Sequence, residues 1–536
     1  MTLMHHSKNI IAQYLFSAIF FGLLLPSMAF AQLSPNKVND LANYIQSLQY
    51  GNPAYPNSLG AIQKALAAPS YYDGGAAYYK VEPYFAHNGV RGLLHTGFAN
   101  RFIVARNWFN WYLAHLNSHY NCYNYYYNSS GSIQTACPPA STGIACYDID
   151  AQDSDAAVFC GIAYEYFLYS GDTAWFNNTG VRTKLEGMMN FVIDSLIQNN
   201  HLSIAKTSWA VQYTMDNSEV FWGLKSMAAI ENNIYQDATM AAYYNNKADL
   251  MQQAIQTLLY NSGTDSYKWA LNMDISPLCW YGCGDLGGVT ATVFPQLFGI
   301  DSYCNARSID QRTTLNNSFD GSPNTDWTSQ NVETFIWANI GYTFAAAGDT
   351  LHGFAQADYA IDLFQTPYSY PPCYVSDAGY LLMTAFLKYN PYTSIEITPN
   401  DTACVGSSII LTSPHKGTQF SCQWLKDGLP ISGATHFSYA ATLSGTYSLS
   451  LINNGCPILS NAVSLYFTPA PAPLITGNAT VCTNTPQTYS VPAIAGHTYT
   501  WTVTGGTILS GQGTNSITVQ WASGTVGTVQ VIEGAP

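Results

Sequence analysis

Charge is what this sequence has least of. Only 9% of its 536 residues are charged, and the 18 Lys and Arg are outnumbered by 32 Asp and Glu. A surface this poor in cations repels phosphate backbones, which excludes nucleic acid as a partner. Long apolar runs are missing too, apart from one near the N-terminus. Lys8, the apolar stretch Ile10 to Leu25 and Ala29-Phe30-Ala31 form an export signal, expected over residues 1–31. Its removal takes the net charge from −14 to −15 and leaves a mature chain with no membrane span, secreted or held at the cell surface. G-x-S-x-G, H-E-x-x-H, P-loop and dinucleotide fingerprints are absent from any supporting context, which removes serine hydrolase, zinc protease and nucleotide chemistry. No zinc spacing occurs either: Cys279 and Cys283 have no His or second Cys pair beside them.

What the chain does have is 40 Tyr, 12 Trp and 12 Cys. Rigid amphipathic rings with few charges suit a neutral polar polymer such as a glycan, or plain adhesion. Cysteines in an exported chain point to disulfides, and Cys122, Cys137 and Cys146 lie in one loop they are expected to staple.

Composition changes near residue 390. From Asp401 onward only Asp401, Lys416, Lys426, Asp427 and Glu533 are charged, and Thr, Ser, Gly and Val alternate as in short antiparallel strands. Asn390-Pro391 and Pro469 to Pro473 read as linkers, so two β-sandwich modules are expected at 395–468 and 474–536, the second cut short. Residues 32–390 instead show helical patterns. Apolar helices begin near Tyr84, Asp153, Asp216, Leu286, Ser329 and Ser376. More amphipathic ones lie between, near Arg101–Leu116, Ala174–Ile197, Ala238–Leu259, Ile309–Leu315 and Gly353–Leu363, with Val38–Leu48 or Leu59–Leu66 as the last. Helices buried all round, alternating with helices that bury one stripe, predict an all-α (α/α)6 toroid of six hairpins.

In such a toroid the inner helices start on one face. Asp150 and Asp153, Asp216 and Glu219, Asp285, and Asp326 with Glu333 all stand at these starts. Cleaving a glycosidic bond takes a carboxylic acid to protonate the leaving oxygen and a carboxylate to activate water or attack carbon. Glu219 is expected as proton donor and Asp153 as its partner. The competing reading is helix capping: Asp216-x-x-Glu219 has the form of a capping box, and Asp150-x-x-Asp153 resembles one. No cofactor is expected, although the oxygens of Asp148 to Asp155 admit a structural calcium without the Gly and terminal Glu of an EF-hand. His87, Arg91 and His95 share one helix face, to bind sugar or to link two helices. Trp209, Tyr213, Trp222, Trp280 and Trp327 are candidates to stack on sugar rings.

The segments Pro83 to Asn88, Asp150 to Phe159, Leu202 to Lys206, Tyr213 to Val220 and Thr292 to Phe298 resemble proteins of the six-hairpin glycosidase superfamily. The likeness implies the same toroid and a secreted glycoside hydrolase acting on a polysaccharide or oligosaccharide. The start around Asp150 and Asp153 is similar to family eight glycoside hydrolases, although Asp155 stands where an aromatic residue is usual. Cys404-Val-Gly-Ser, Gln423 to Gly428, Ser444 to Tyr447 and Asn454-Gly-Cys456 resemble a Bacteroidetes-type immunoglobulin-like repeat, which implies a Cys404–Cys456 disulfide. Tyr499 to Val503 and Gly511 to Trp521 resemble a PKD-like module. Two rivals remain: a polysaccharide lyase, with His87, Arg91 or a tyrosine at a uronate, and a non-catalytic glycan-binding adhesin.

Overall fold

The computed structural model describes residues 33–65, 69–271, 287–317, 327–329, 337–364, 373–469, 472–524 and 526–534. The expected export signal, Trp280, Asp285, Asp326 and Glu333 lie outside them.

Thirteen α-helices occur among the described residues, all before residue 390. They are α1 (Pro35–Ser47), α2 (Pro83–Leu94), α3 (Arg101–Ala114), α4 (Gln152–Ser170), α5 (Thr173–Phe176), α6 (Val181–Phe191), α7 (Thr214–Asn233), α8 (Ala238–Ala254), α9 (Gly287–Leu297), α10 (Ala306–Asn317), α11 (Ala338–Ala346), α12 (Thr350–Leu363) and α13 (Val375–Tyr389). Helices α2, α4, α7, α9, α11 and α13 pack in that order, and α13 returns to α2 to close a six-membered ring. The helices between them lie outside: α3 against α2, α6 against α4, α8 against α7, α12 against α11, and α1 across the α13–α2 seam.

Burial follows from sequence pattern. In α4 every residue from Asp153 to Tyr166 is buried, whereas α1 buries only Leu41, Ala42 and Ile45, one stripe at helical spacing. The inner helices are rich in Gly and Ala because their backbones touch. A Cβ on Gly92 of α2 would lie 2.2 Å from the Gly379 carbonyl oxygen of α13, and one on Gly223 of α7 would lie 2.6 Å from the Ala157 Cα of α4.

Five of the six inner helices start within two residues of the expected positions. The fifth, expected near Ser329, is described as a helix only from Ala338, after Trp337 in the left-handed region at φ 57°. The outer helix expected over Ala174–Ile197 divides into α5, α6 and one wider turn at Val192–Leu196. Leu59–Leu66 forms no helix among the described residues, and α1 supplies the outer partner instead. A four-stranded antiparallel sheet was not anticipated. It is built from Tyr71–Asp73, Ala76–Val81, Tyr125–Asn128 and Gln134–Thr135, in that order.

Beyond the helices the chain forms two β-sandwiches. In the first, a sheet containing Phe420–Lys426, Gly445–Asn453, Val463–Thr468 and Thr402–Cys404 accompanies a three-stranded sheet of Ser438–Ala441, Ile409–Thr412 and Glu396–Thr398. Its Trp424 is fully buried and donates its indole N–H to the His436 carbonyl at 2.9 Å. The second pairs Pro486–Ser490, Ser516–Trp521 and Gly506–Ser510 in one sheet and Thr498–Thr504 with Thr528–Gly534 in the other, around Tyr489, Trp501 and Trp521.

Disulfide pairing departs from expectation. Cys137 bonds Cys146 and staples its loop, while Cys122 remains a buried thiol. The Cys404–Cys456 bond is not formed: Cys456 bonds Cys304, and Cys404 is an exposed free thiol. The reason is local packing. Leu451–Ile458 belongs to the same compact unit as the helices. There Asn454 donates to the Gln296 carbonyl at 2.9 Å and Asn453 to the Ala346 carbonyl at 3.3 Å, which bring Cys456 to the turn before α10.

Ring closure through bare backbone makes a test. Gly92→Val places two methyls where Gly379 stands, and such overpacking destabilises by about 1–3 kcal/mol. Thermal unfolding followed by circular dichroism should show a lowered Tm, with no comparable change for Gly97→Val, where added atoms meet open space.

Candidate active site

Helix α7 opens without a side-chain cap. Its N-cap is Tyr213, so Asp216 and Glu219 lie inside the helix, three residues apart on one face. Helix α4 likewise follows Ala151 with no side-chain cap. The capping reading therefore does not account for these acids. Three other helices show what capping looks like here: Asp172, Asp237 and Asp349 accept from the backbone N–H three residues on, at 3.1, 3.0 and 3.3 Å, at the starts of α5, α8 and α12.

The uncapped starts surround a cavity of about 240 Å³ whose lining includes Tyr84, Asp150, Asp216, Glu219, Asp377 and Tyr380. Tyr84 donates to Glu219 Oε1 at 2.6 Å. Glu219 is buried, and burial raises its pKa well above the ordinary carboxylate value; the Tyr84 hydrogen bond opposes that rise, and the charges of Asp153 and Asp150 reinforce it. Asp216 is also raised, by burial and then by Asp153 and Glu219. Asp150 stands on the cleft wall, open to solvent on one side and surrounded by protein on the others, and is raised to about 6 by that desolvation and by Glu82. Asp150, Ala151, Met215 and Asp216 also line a neighbouring hollow of about 470 Å³, which adds Trp209, Tyr213 and Trp269.

Asp153 does not line either hollow. It is fully buried, accepting from Ser203 Oγ at 2.5 Å and from the Ser154 N–H at 2.8 Å, and burial raises it to about 7 against those two bonds. Ser203 also donates its N–H to Asn217 Oδ1 at 2.7 Å, so Asp153 braces the segment before α7.

His87 and Arg91 point into the protein. Trp108 donates its indole N–H to His87 Nδ1 at 3.0 Å, which leaves the His87 proton on Nε2, 3.1 Å from Asp155 Oδ1. Arg91 grips Glu165 through Nε and Nη2 at 2.9–3.2 Å and lies 4.2 Å above the Trp222 ring. Burial would raise Glu165, but Arg91 outweighs it and brings the carboxyl to about 2. Trp222 is thus occupied in the core. Trp327 is buried too, its indole N–H donated to Asn316 Oδ1 at 2.8 Å. Of the aromatic candidates among the described residues, Trp209 and Tyr213 reach the cleft, joined by a 2.9 Å hydrogen bond.

Asp377 was missed. It occupies the third position of α13 as Asp216 does of α7, so an acid in the first turn of an inner helix, as in α4 and α7, was the signal to follow. One of its oxygens accepts from the Ala338 N–H at 3.4 Å; the other has no partner among the described residues, and burial raises the group to about 7. Asn88 Oδ1, Asn339 Oδ1 and Tyr380 Oη, on residues lining the same cavity, also lack partners among the described residues. No group of acids, His or Cys able to hold a metal ion occurs among the described residues.

A PKD-like domain model matches residues 468–535. No curated protein matches the chain. Among solved structures it is similar to a wild-type glycosidase at 12% identity and a TM-score of 0.46, covering 68% of this chain and 99% of that one. A rhamnosidase from Klebsiella oxytoca with rhamnose bound gives 10% and 0.42 over 67% and 65%. A sialidase gives 10% and 0.43 over 83% of this chain and 43% of its own. At these values no residue role passes from them to this chain.

Two measurements test the buried charges. Arg91→Met leaves Glu165 buried without its cation and should cost about 3–5 kcal/mol of unfolding free energy in denaturant titration. Asp153, with a folded pKa raised to about 7, holds a proton in the folded state that it releases on unfolding above its unfolded value. Its contribution is therefore present at low pH and fades as pH rises from about 4 to about 7, with a slope of at most about 1.4 kcal/mol per pH unit. Asp153→Asn should flatten that part of the stability profile.

Proposed function

We propose that this protein is a secreted glycoside hydrolase acting on a neutral polysaccharide or oligosaccharide, with Glu219 as proton donor and Asp150 as the ionised partner. The observation that carries this reading is a buried Glu219 with a raised pKa, oriented by Tyr84, in the same hollow as Asp150. Glu219 gives its proton to the glycosidic oxygen as the bond to the anomeric carbon breaks. Asp150, ionised near neutral pH, serves that carbon from the cleft wall, as base for water or as nucleophile. Asp216 lies beside Glu219 and is itself held toward the protonated form by burial and by the neighbouring carboxylates. Asp153 becomes a positioning residue. The polar atoms of Asn88, Asn339 and Tyr380 that lack partners among the described residues suit a hydroxyl-rich ring, since buried groups without partners are costly until something satisfies them. The described lining of the inner cavity includes no Lys, Arg or His, so a uronate would find no counter-charge there, which weighs against a lyase.

The test is a screen of the purified full-length protein on a polysaccharide panel for new reducing ends and for unsaturated uronate. Reducing ends without unsaturation are expected. Glu219→Gln and Asp150→Asn should each lower kcat by about 10²–10⁴-fold. The pH profile should be a bell, rising through about 6 as Asp150 ionises and falling at higher pH as Glu219 loses its proton. Unsaturated products would favour the lyase, and binding without any release would favour the adhesin.

A further inference from the structure

The cleft continues outward past the carboxylates. The hollow of about 470 Å³ beside Asp150 shares Lys206 and Ser208 with a third, of about 480 Å³, bounded by Asn117, His119, Asn121, Tyr123 and Tyr147. The inner cavity adjoins the middle hollow, and the middle hollow adjoins the third, so the three lie in a row. The outer end of this row is polar and nearly neutral: the Lys206 ammonium donates to the Ile149 carbonyl at 2.7 Å and lies 3.6 Å from Asp148.

Two aromatic rings stand open along this path. Trp209 is 51% exposed and Tyr147 60% exposed, and the Tyr147 ring lies 5.2 Å from that of Tyr123. Tyr147 has φ 55°, a region that a bulky side chain seldom occupies unless its surroundings hold it there. Its N–H is donated to the Ala136 carbonyl at 2.7 Å, and the Cys137–Cys146 disulfide closes the loop immediately before it. The chain thus accepts both an unfavourable backbone conformation and an exposed ring to keep Tyr147 at the groove.

We infer that the groove from Asp150 past Trp209 to Tyr147 holds several successive residues of a neutral glycan chain, with Trp209 and the Tyr123–Tyr147 pair as stacking platforms. The substrate is accordingly a chain rather than a small glycoside. This inference rests on the glycan-cleft reading above and adds the chain length to it.

The experiment is native electrophoresis of full-length Glu219→Gln protein through gels cast with soluble β-glucan, mannan, xylan or galactan, where turnover plays no part. At least one gel should retard the protein, and adding Tyr147→Ala should raise the apparent Kd in that gel about three- to tenfold. Tyr147→Phe should keep the retardation, and Tyr72→Ala, at a 68% exposed tyrosine outside the groove, should leave it unchanged. Circular dichroism confirms that each variant is folded, and a Cys137→Ser/Cys146→Ser variant should weaken retardation in the same direction as Tyr147→Ala. Equal migration of the folded Tyr147→Ala variant, or no retardation in any of these gels, would overturn the inference. Retardation that depends on Tyr147, in a protein whose wild type releases no sugar, would retain the groove and defeat the hydrolase reading. Hydrolysis of short glycosides without retardation would do the reverse.

Discussion

The helical unit depends on one backbone contact, where Gly92 of the first inner helix meets Gly379 of the last. Six inner helices close into a ring only if the first and last approach as nearly as their neighbours do, and side chains at this seam would hold them apart. The α4–α7 seam uses the same device less strictly, with Gly223 against Ala157 and Gly161 against the Trp222 ring. Closure fixes where the inner helices begin. It gathers Tyr84, Asp150, Asp216, Glu219 and Asp377, from four separate stretches of chain, around one cavity.

With so few charges, their placement is informative. Helix-capping aspartates serve α5, α8 and α12. Below the cleft, Arg91 and Glu165 neutralise each other, with His95 Nε2 3.3 Å from the same carboxylate. The acids around the cavity receive neither treatment. Burying carboxylates without a cation drives them toward the protonated form, and Glu219, Asp216 and Asp377 all shift in that direction. Carboxyls held toward the protonated form in a cleft are the raw material of proton donation.

The toroid was legible in the sequence because its signal is local. All-round burial and one-stripe burial leave different patterns, and acids at helix starts can be read from spacing alone. Contacts made between distant segments were not legible. His87 and Arg91 share a face whether that face meets a sugar or Glu165, and only the position of α4 decides. Asp153 belongs with the cleft by spacing and lies behind it by side-chain direction. The strand Tyr125–Asn128 has three tyrosines in a row, so it shows no alternation to betray a sheet. Cys456 was assigned a partner within its own module, whereas Asn453 and Asn454 donate to carbonyls of the inner helices α11 and α9 and carry it to Cys304.

The Cys304–Cys456 bond spans 152 positions of sequence and so turns that stretch into a covalent ring. α10, α11, α12 and α13, the linker after them and most of the first sandwich lie within the ring. A protease that cuts once anywhere inside it produces two chains that stay joined, and the break shows on a gel only after reduction. A single nick in that span therefore opens the polypeptide without releasing either half.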